Sequence, residues 1–181
     1  MLTYQMSRGP LPTPRKSHLE ADLVRLKREI ALNREFVGES EALLLSVAWT
    51  WSCMERMGRS FFASFGTTDA QFNALMILWD YRARPMKQHE LADLLVVNRA
   101  SAGGVIDRLQ RNGWVQRKVD AEDRRALRVH LTDDGIAKLK EVRTAYYKLL
   151  SAALGDTDPA TLATVLRFND ALRARLGALS A

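Results

Sequence analysis

Apolar residues recur every three or four positions along most of the chain, a spacing that predicts α-helices. The first helix is expected to begin at Ser17, which has capping-box spacing with Glu20. Because its other face is charged, this helix must pack on the rest of the chain or on a second subunit. The preceding residues, 1–16, contain three prolines and are predicted to be a disordered arm. The apolar positions of the helix are Leu19, Leu23, Leu26 and Ile30.

A longer helix is predicted from about Ser40 to Phe65, where Gly66 ends it. Its apolar residues fall on two sides of the helix, and a helix of this kind is buried by more than one neighbour. One side carries Leu44, Val47, Trp51, Met54, Phe61 and Phe65, and the other carries Trp49, Cys53 and Met57.

The middle of the chain has the pattern of a helix-turn-helix. A capping-box pair, Thr68 with Gln71, opens a predicted helix over 68–81, and a short helix follows over 87–95. Asn98 is a good N-cap for a third helix, which Gly113 stops. Two short helices joined by a tight turn form this motif. The residues expected to face inward are Phe72, Leu75, Met76 and Trp79, then Leu91, Leu94 and Leu95, then Ala102, Val105, Ile106 and Leu109.

The period then changes from that of a helix to that of a strand. Residues 127–131 alternate strictly between apolar and polar, and 114–119 can pair with them, which predicts a β-hairpin with one buried face. The tip of this hairpin, 120–125, is polar and charged. Further helices are predicted over 132–154 and 159–177, the first capped by its threonine and the second opened by its proline.

Composition and charge narrow the classes of function. The chain has 181 residues, a net charge of +6 and one cysteine, Cys53, so no disulfide can form within it. The longest apolar stretch, 42–51, is too short to span a bilayer, and the N-terminus lacks the pattern of a secretory signal. These features predict a cytoplasmic protein. An excess of four positive charges lies within 98–130, which favours a polyanion as partner, unless this is only a solvated basic face.

A helix-turn-helix followed by a basic hairpin is the arrangement of a winged helix. The second helix of the motif fits the major groove of B-DNA, and a slim hairpin can touch the neighbouring backbone or minor groove. Arg125, at the hairpin tip, suits the narrow and electronegative minor groove. The predicted fold is therefore mainly α, with a small β-hairpin wing and a winged helix-turn-helix at its centre.

The run DAEDRRALRVHLTDDG (Asp120–Gly135), which follows NRASAGGVIDRLQRNGW (Asn98–Trp114), resembles the wing and recognition helix of the MarR family of bacterial regulators. The likeness extends over about residues 40–177. It implies a homodimer in which the N- and C-terminal helices interlock. It also implies that Asp123 and Arg125 shape the wing, with Arg125 reaching the minor groove, and a local ion pair that stiffens the turn is compatible with that role.

The expected domain organisation follows from this resemblance. After the arm, 1–16, residues 17–66 and 133–181 form a helical dimerisation region, and 67–132 form the DNA-binding domain. The expected function is that of a sequence-specific transcriptional regulator, a repressor that binds a pseudo-palindromic operator as a homodimer and is released by a small, often aromatic, ligand. Sequence motifs of hydrolases and phosphate-binding loops are absent, so an enzyme is not predicted.

The recognition helix departs from the pattern of the family at Gly103 and Gly104, where relatives often carry a polar residue and an arginine. Two interpretations are open: the helix backbone approaches DNA closely, or direct readout of bases is weaker and other residues carry recognition, the second being favoured. The DNA-binding residues predicted are Gln88, Asn98, Arg99, Ser101, Gly103, Gly104, Arg108, Lys118, Asp123, Arg124 and Arg125.

The resemblance also implies a site for a small effector between the dimer helices and the DNA-binding lobe. Its candidate residues can equally belong to the core: Trp49, Cys53, Phe72, Asn73 and Met76. Cys53 could instead be a redox switch, although a buried and inert thiol is the favoured interpretation. The three histidines fall on different elements without short ligand spacing, so no metal or other cofactor is predicted. The remaining alternative is a helical interaction protein that does not bind DNA.

Overall fold

A computed structural model describes residues 16–95, 99–120 and 126–179, with the side chains of 18–95, 102–120 and 126–179. These residues form seven helices and one two-stranded antiparallel sheet, as the sequence predicts. In chain order the elements are α1 (Lys16–Glu29), α2 (Glu39–Ser64), α3 (Asp69–Asp80), α4 (Gln88–Leu94), α5 (Arg99–Arg111), β1 (Val115–Val119), β2 (Leu127–Leu131), α6 (Asp133–Leu154) and α7 (Pro159–Leu179).

The ends of the helices follow the predicted signals with small shifts. α1 includes Lys16, so Ser17 lies within its first turn and does not precede the helix as predicted. Gly66 follows α2 with a φ of 65°, a left-handed conformation that suits glycine. Thr68 is the N-cap of α3, and its hydroxyl accepts a hydrogen bond from the backbone N–H of Gln71. The N-cap predicted at Thr68 is thus confirmed, whereas the side chain of its capping-box partner, Gln71, accepts from the Thr67 hydroxyl. At α1 the capping signal is displaced.

The chain divides into two compact units, with the boundary between Phe61 and Phe62 inside α2. In the first unit, the turn between α1 and α2 is held by Glu41. The Arg34 guanidinium donates to both oxygens of this carboxylate, at 2.6 and 2.9 Å, and the backbone N–H of Val37 donates at 2.7 Å. These donors lower the pKa of Glu41 to about 2, so it remains ionised across the physiological range.

The second unit contains the larger part of the core. α3 packs against α5, α6 and β2, and α5 packs against α4 and β1. Apolar side chains from each of these elements are buried together, which removes them from water and stabilises this arrangement. The buried residues of these elements and the adjacent Leu95 are Phe72, Ala74, Leu75, Leu78, Leu91, Leu95, Ala102, Val105, Ile106, Leu109, Val115, Val129, Leu139 and Val142. Leu94, predicted to face inward, is 46% exposed, because α4 ends there and the chain turns at Leu95.

The end of the wing is joined tightly to the start of α6. The Thr132 hydroxyl donates to the carbonyl of Gly113 at 2.6 Å and accepts from the backbone N–H of Gly135, while the Thr132 N–H donates to the carbonyl of Trp114. A Cβ atom on Gly135 would lie 2.0 Å from the Trp114 carbonyl oxygen. A side chain at position 135 would therefore force the backbone to move, which explains the glycine there, and the bonds of Thr132 explain the threonine.

Large apolar side chains remain exposed on α2 and α7. Trp51 is 63% exposed and Leu44 is 67% exposed, although the sequence predicted that α2 is buried on more than one side. Along the described part of α7 no residue is buried at all. Both helices therefore carry large apolar side chains that are exposed in the structure. Among the described residues, no helix combines the length and apolar character needed to cross a membrane.

Candidate nucleic-acid interface

The helix α5 has one face in the core and one face in solvent. Ala102, Val105, Ile106 and Leu109 are buried, which confirms the predicted stripe. The side chains of Asp107, Arg108, Gln110 and Arg111 are exposed. At Gly103 and Gly104, an added Cβ would meet no atom within 4 Å, so the packing of the chain does not require glycine at either position.

The wing presents two faces with different chemistry. In the register of β1 and β2, Val115 lies opposite Leu131 and Arg117 lies opposite Val129. This face packs on the core through Val115 and Val129, which are both buried. The other face pairs Gln116 with His130 and Lys118 with Arg128. The exposed ammonium of Lys118 thus stands on the outer face of the hairpin.

An ion pair links β1 to α5. The Arg117 guanidinium donates to the Asp107 carboxylate at 2.5 Å and to the side-chain oxygen of Gln110 at 2.7 Å. These two residues lie in the C-terminal half of the helix, on its exposed side. The pair therefore joins β1 to α5 and compensates the negative charge of Asp107 on the exposed side of the helix.

A second ion pair holds the base of the wing. The Nε of Arg128 donates to the carboxylate of Asp120, and its Nη1 donates to the carbonyl of Pro85. Beside this contact, the Val129 N–H donates to the Met86 carbonyl at 3.0 Å, so the segment between α3 and α4 is bonded to the edge of β2. The Asp120 N–H donates to the Ala126 carbonyl at 3.0 Å and closes the hairpin below its tip.

The sequence pattern does not reveal this second pair, because it places Arg128 in the basic surface and Asp120 in the polar tip. One signal could have found it. The hairpin register places Lys118 directly opposite Arg128, and like charges in that position destabilise a sheet unless a counter-charge is near. Asp120, two residues beyond Lys118 on the same face, supplies that charge.

His130 lies half-buried on the outer face of the wing. Burial, together with the positive charges of Lys118 and Arg128, lowers its pKa below the ordinary value of 6.5. The imidazole is therefore largely neutral at pH 7 and adds no positive charge to the wing there.

An open cleft of about 350 Å³ lies between α4, α5 and the start of β2. Gln88 and Gly103, both predicted DNA-binding residues, line it together with Lys87, His89 and Leu127. The structure thus brings one predicted residue of α4 and one of α5 to the same cleft. Arg108 and Lys118 are exposed elsewhere on α5 and β1.

Several predicted DNA-binding residues are not covered by these observations. Asn98 and the tip residues Asp123, Arg124 and Arg125 lie outside the described residues, and only the helical backbone is described at Arg99 and Ser101. The predicted roles of these residues stay predictions.

The candidate effector residues occupy different environments. Phe72 is buried, and its ring centroid lies 5.3 Å from that of Phe62 and 5.1 Å from that of Tyr146, so it belongs to a packed aromatic cluster. Asn73 and Met76 are half-buried on the same helix. In the other unit, Trp49 is half-buried. The effector role stays a prediction for all five residues.

Cys53 is exposed, which corrects the expectation of a buried thiol. The guanidinium of Arg56 lies 3.1 Å from its Sγ atom and also covers the ring of Trp49, 5.0 Å from the centroid. The prediction was wrong because Cys53 lies on an apolar side of α2 that one copy of the chain leaves open. Across the described residues, no group of three or more histidine, cysteine, aspartate or glutamate side chains could hold a metal ion.

Comparisons with known proteins agree with this geometry. The model of the MarR family matches residues 67–127, from the residue before the N-cap of α3 to the start of β2. The transcriptional repressor YetL of Bacillus subtilis is 31% identical over 101 residues, a match that covers 56% of this chain and 60% of the repressor. The chain thus spans less than two thirds of the length of that relative.

A second relative from Bacillus subtilis, the uncharacterized transcriptional regulator YsmB, is 31% identical over 110 residues, covering 61% of this chain and 72% of its own length. Among solved structures, the MarR family regulator Sco3205 from Streptomyces coelicolor, determined in complex with DNA, has a TM-score of 0.69 at 20% identity. That similarity covers 78% of this chain and 91% of Sco3205, and it shows a shared fold. From the family match and the identity to YsmB, we conclude that this chain belongs to the MarR family of transcriptional regulators.

Proposed function

We propose that this chain is a sequence-specific DNA-binding transcriptional regulator that inserts α5 into the major groove and lays its wing along the neighbouring backbone. The observation that carries the proposal is the exposed side of α5, with Arg108 and Arg111, beside a hairpin whose outer face presents Lys118. The buried stripe of α5 holds the helix rigidly on the core, so its exposed side is available as a preformed surface. Such a surface suits phosphate contacts, since each neutralised phosphate releases counterions.

We further propose that it acts as a homodimeric repressor on a pseudo-palindromic operator. Two recognition helices in a dimer lie about 34 Å apart, one turn of DNA, when they read two half-sites. Repression is supported by the similarity to YetL, which is named a repressor, and DNA binding by the similarity to Sco3205, which was solved with DNA. The uncovered apolar faces of α2 and α7 support the dimer.

A small, often aromatic, effector would release the operator by favouring a dimer shape in which the two recognition helices no longer match the half-sites. Trp49, Cys53, Phe72, Asn73 and Met76 remain the candidate residues for this site. The comparisons favour neither of the two alternatives, a redox response through Cys53 or a helical interaction protein that does not bind DNA.

The experiment is the enrichment of bound duplexes from a random pool, followed by affinity measurements on the enriched sequence. Arg108→Ala should weaken binding by about 1–3 kcal/mol, because it removes an exposed cation from the DNA-facing side of α5. Arg25→Ala, which removes an exposed cation from α1, is the matched control and should leave the affinity unchanged. Titration of the complex with phenols and aromatic acids tests the effector in the same assay.

If no duplex is enriched at low salt, the proposed function is wrong. If duplexes are enriched but Arg108→Ala binds them as tightly as the unaltered protein, α5 is not oriented on DNA as proposed.

A further inference from the structure

The base of the wing contains a buried charge. The Asp120 side chain is 1% exposed, while that of its partner Arg128 is 23% exposed. Leaving one member of such a pair without its partner is costly, because an uncompensated charge then stays out of water. A change in local structure that separates Asp120 from Arg128 is therefore unfavourable.

The partners of Arg128 belong to two different segments. Its guanidinium binds the last residue of the β1 side, Asp120, and the carbonyl of Pro85 between α3 and α4. The neighbouring bond from the Val129 N–H to the Met86 carbonyl adds a backbone contact between the same segments. One guanidinium thus ties the hairpin, just below its tip, to the body of the helix-turn-helix.

We propose that Asp120 and Arg128 are positioning residues, a clamp that fixes the angle of the wing and so controls DNA affinity without contact with DNA. This inference rests on the proposed function, because it concerns how the wing meets a duplex. The clamp keeps the wing in the orientation that binds. Without it, the binding orientation becomes a smaller fraction of the population, and the apparent dissociation constant rises in inverse proportion to that fraction.

The sign of the effect separates this role from simple electrostatics. Asp120 lies in a basic segment, so Asp120→Asn removes a negative charge near the proposed DNA surface. If Asp120 acts on DNA only through its charge, the substitution strengthens binding, because the repulsion of phosphates falls. If it acts through the clamp, the substitution weakens binding although the protein becomes more positive.

The test uses the full chain and the duplex enriched on the unaltered protein, well below the unfolding temperature, with circular dichroism to verify folding. We expect Asp120→Asn to weaken binding about tenfold or more and to leave the slope of log affinity against log salt unchanged. The Val129 amide, which donates to Met86, should exchange its hydrogen faster. The matched control Asp134→Asn removes an exposed carboxylate from the first turn of α6 and should change neither readout.

Arg128→Gln and Arg128→Lys give an independent second arm if Asp120→Asn does not fold. The clamp predicts that Arg128→Gln weakens binding with an unchanged salt slope and that Arg128→Lys, which keeps the charge, recovers part of the loss. A slope reduced by about 0.9 in Arg128→Gln would instead identify Arg128 as a phosphate contact and overturn the proposal.

Binding by Asp120→Asn that equals or exceeds that of the unaltered protein also overturns the clamp. If the unaltered protein binds no duplex, the proposed function fails. In that case, faster hydrogen exchange at the Val129 amide in Asp120→Asn but not in Asp134→Asn still shows that the ion pair holds the wing in place. Equal hydrogen exchange at the Val129 amide in all variants refutes the clamp, whether or not the protein binds DNA.

Discussion

At Gly135 the first turn of α6 passes against the backbone of Trp114, so closely that a Cβ atom would overlap the carbonyl oxygen. The same junction is fixed by the Thr132 hydroxyl, which bonds the turn after α5 and the first turn of α6 at once. Two residues of a short motif thus join the wing to the helix that follows it. Their role is structural, since they set where β2 ends.

Gly135→Ala should destabilise the folded chain by about 1–3 kcal/mol, because the added methyl group forces the Trp114 backbone or α6 to move. The measurement is the free energy of unfolding in denaturant. Gly177→Ala is the matched control: its Cβ would meet no atom within 4 Å, so a helical glycine is replaced without a clash, and stability should be equal or up to about 1 kcal/mol higher. Equal stability of both variants would show that the contact at Trp114 does not matter.

Among the elements, α5 is the helix for which the sequence was most informative. Its buried stripe could be predicted because four apolar residues repeat at helical spacing, and the wing strands because β2 alternates with a period of two. The contacts of Arg117 and Arg128 could not be predicted, since they depend on how the hairpin lies against α5 and against the segment around Pro85. Periodicity assigns a residue to a face, but it does not say which distant group meets it there.

Gly104→Ala tests which interpretation of the two glycines in α5 is correct. Nothing within 4 Å opposes the added methyl group, so the helix should gain up to about 1 kcal/mol of stability. The DNA affinity should stay within about twofold, because the glycine supplies no side chain for readout. Gly113→Ala, at a φ of 73°, is the contrasting case and should lose stability. A large loss of affinity in a stable Gly104→Ala variant would mean that the α5 backbone approaches DNA closely.

At the scale of the whole molecule, α2 has a side of large apolar residues that is exposed. A monomeric protein rarely exposes large contiguous apolar patches, and α2 exposes Trp51, Leu44, Val47 and Met54. The sequence predicted that this helix is buried by more than one neighbour, and the described residues leave this side of it exposed. A second copy of the chain is the proposed cover, which also accounts for the exposure of Cys53 on the same helix.

Trp51→Glu should therefore convert a dimer into a monomer, because it places a charge in the proposed interface. Ser60→Glu, at an exposed position on the opposite side of α2, introduces the same charge and is the control. The readout is molar mass in solution by light scattering. A monomeric unaltered protein, or a Trp51→Glu variant as dimeric as Ser60→Glu, would contradict the proposed role of α2.

Binding of duplex DNA through α5 and the wing is tested most directly by the salt dependence of the affinity for an enriched duplex. Contacts from each half of a dimer to several phosphates predict that log affinity falls linearly with log salt, with a slope of about −0.9 for each phosphate contacted. We expect a slope steeper than about −4, with two chains bound per duplex. Binding that is absent at low salt, or that does not change with salt, would contradict the account.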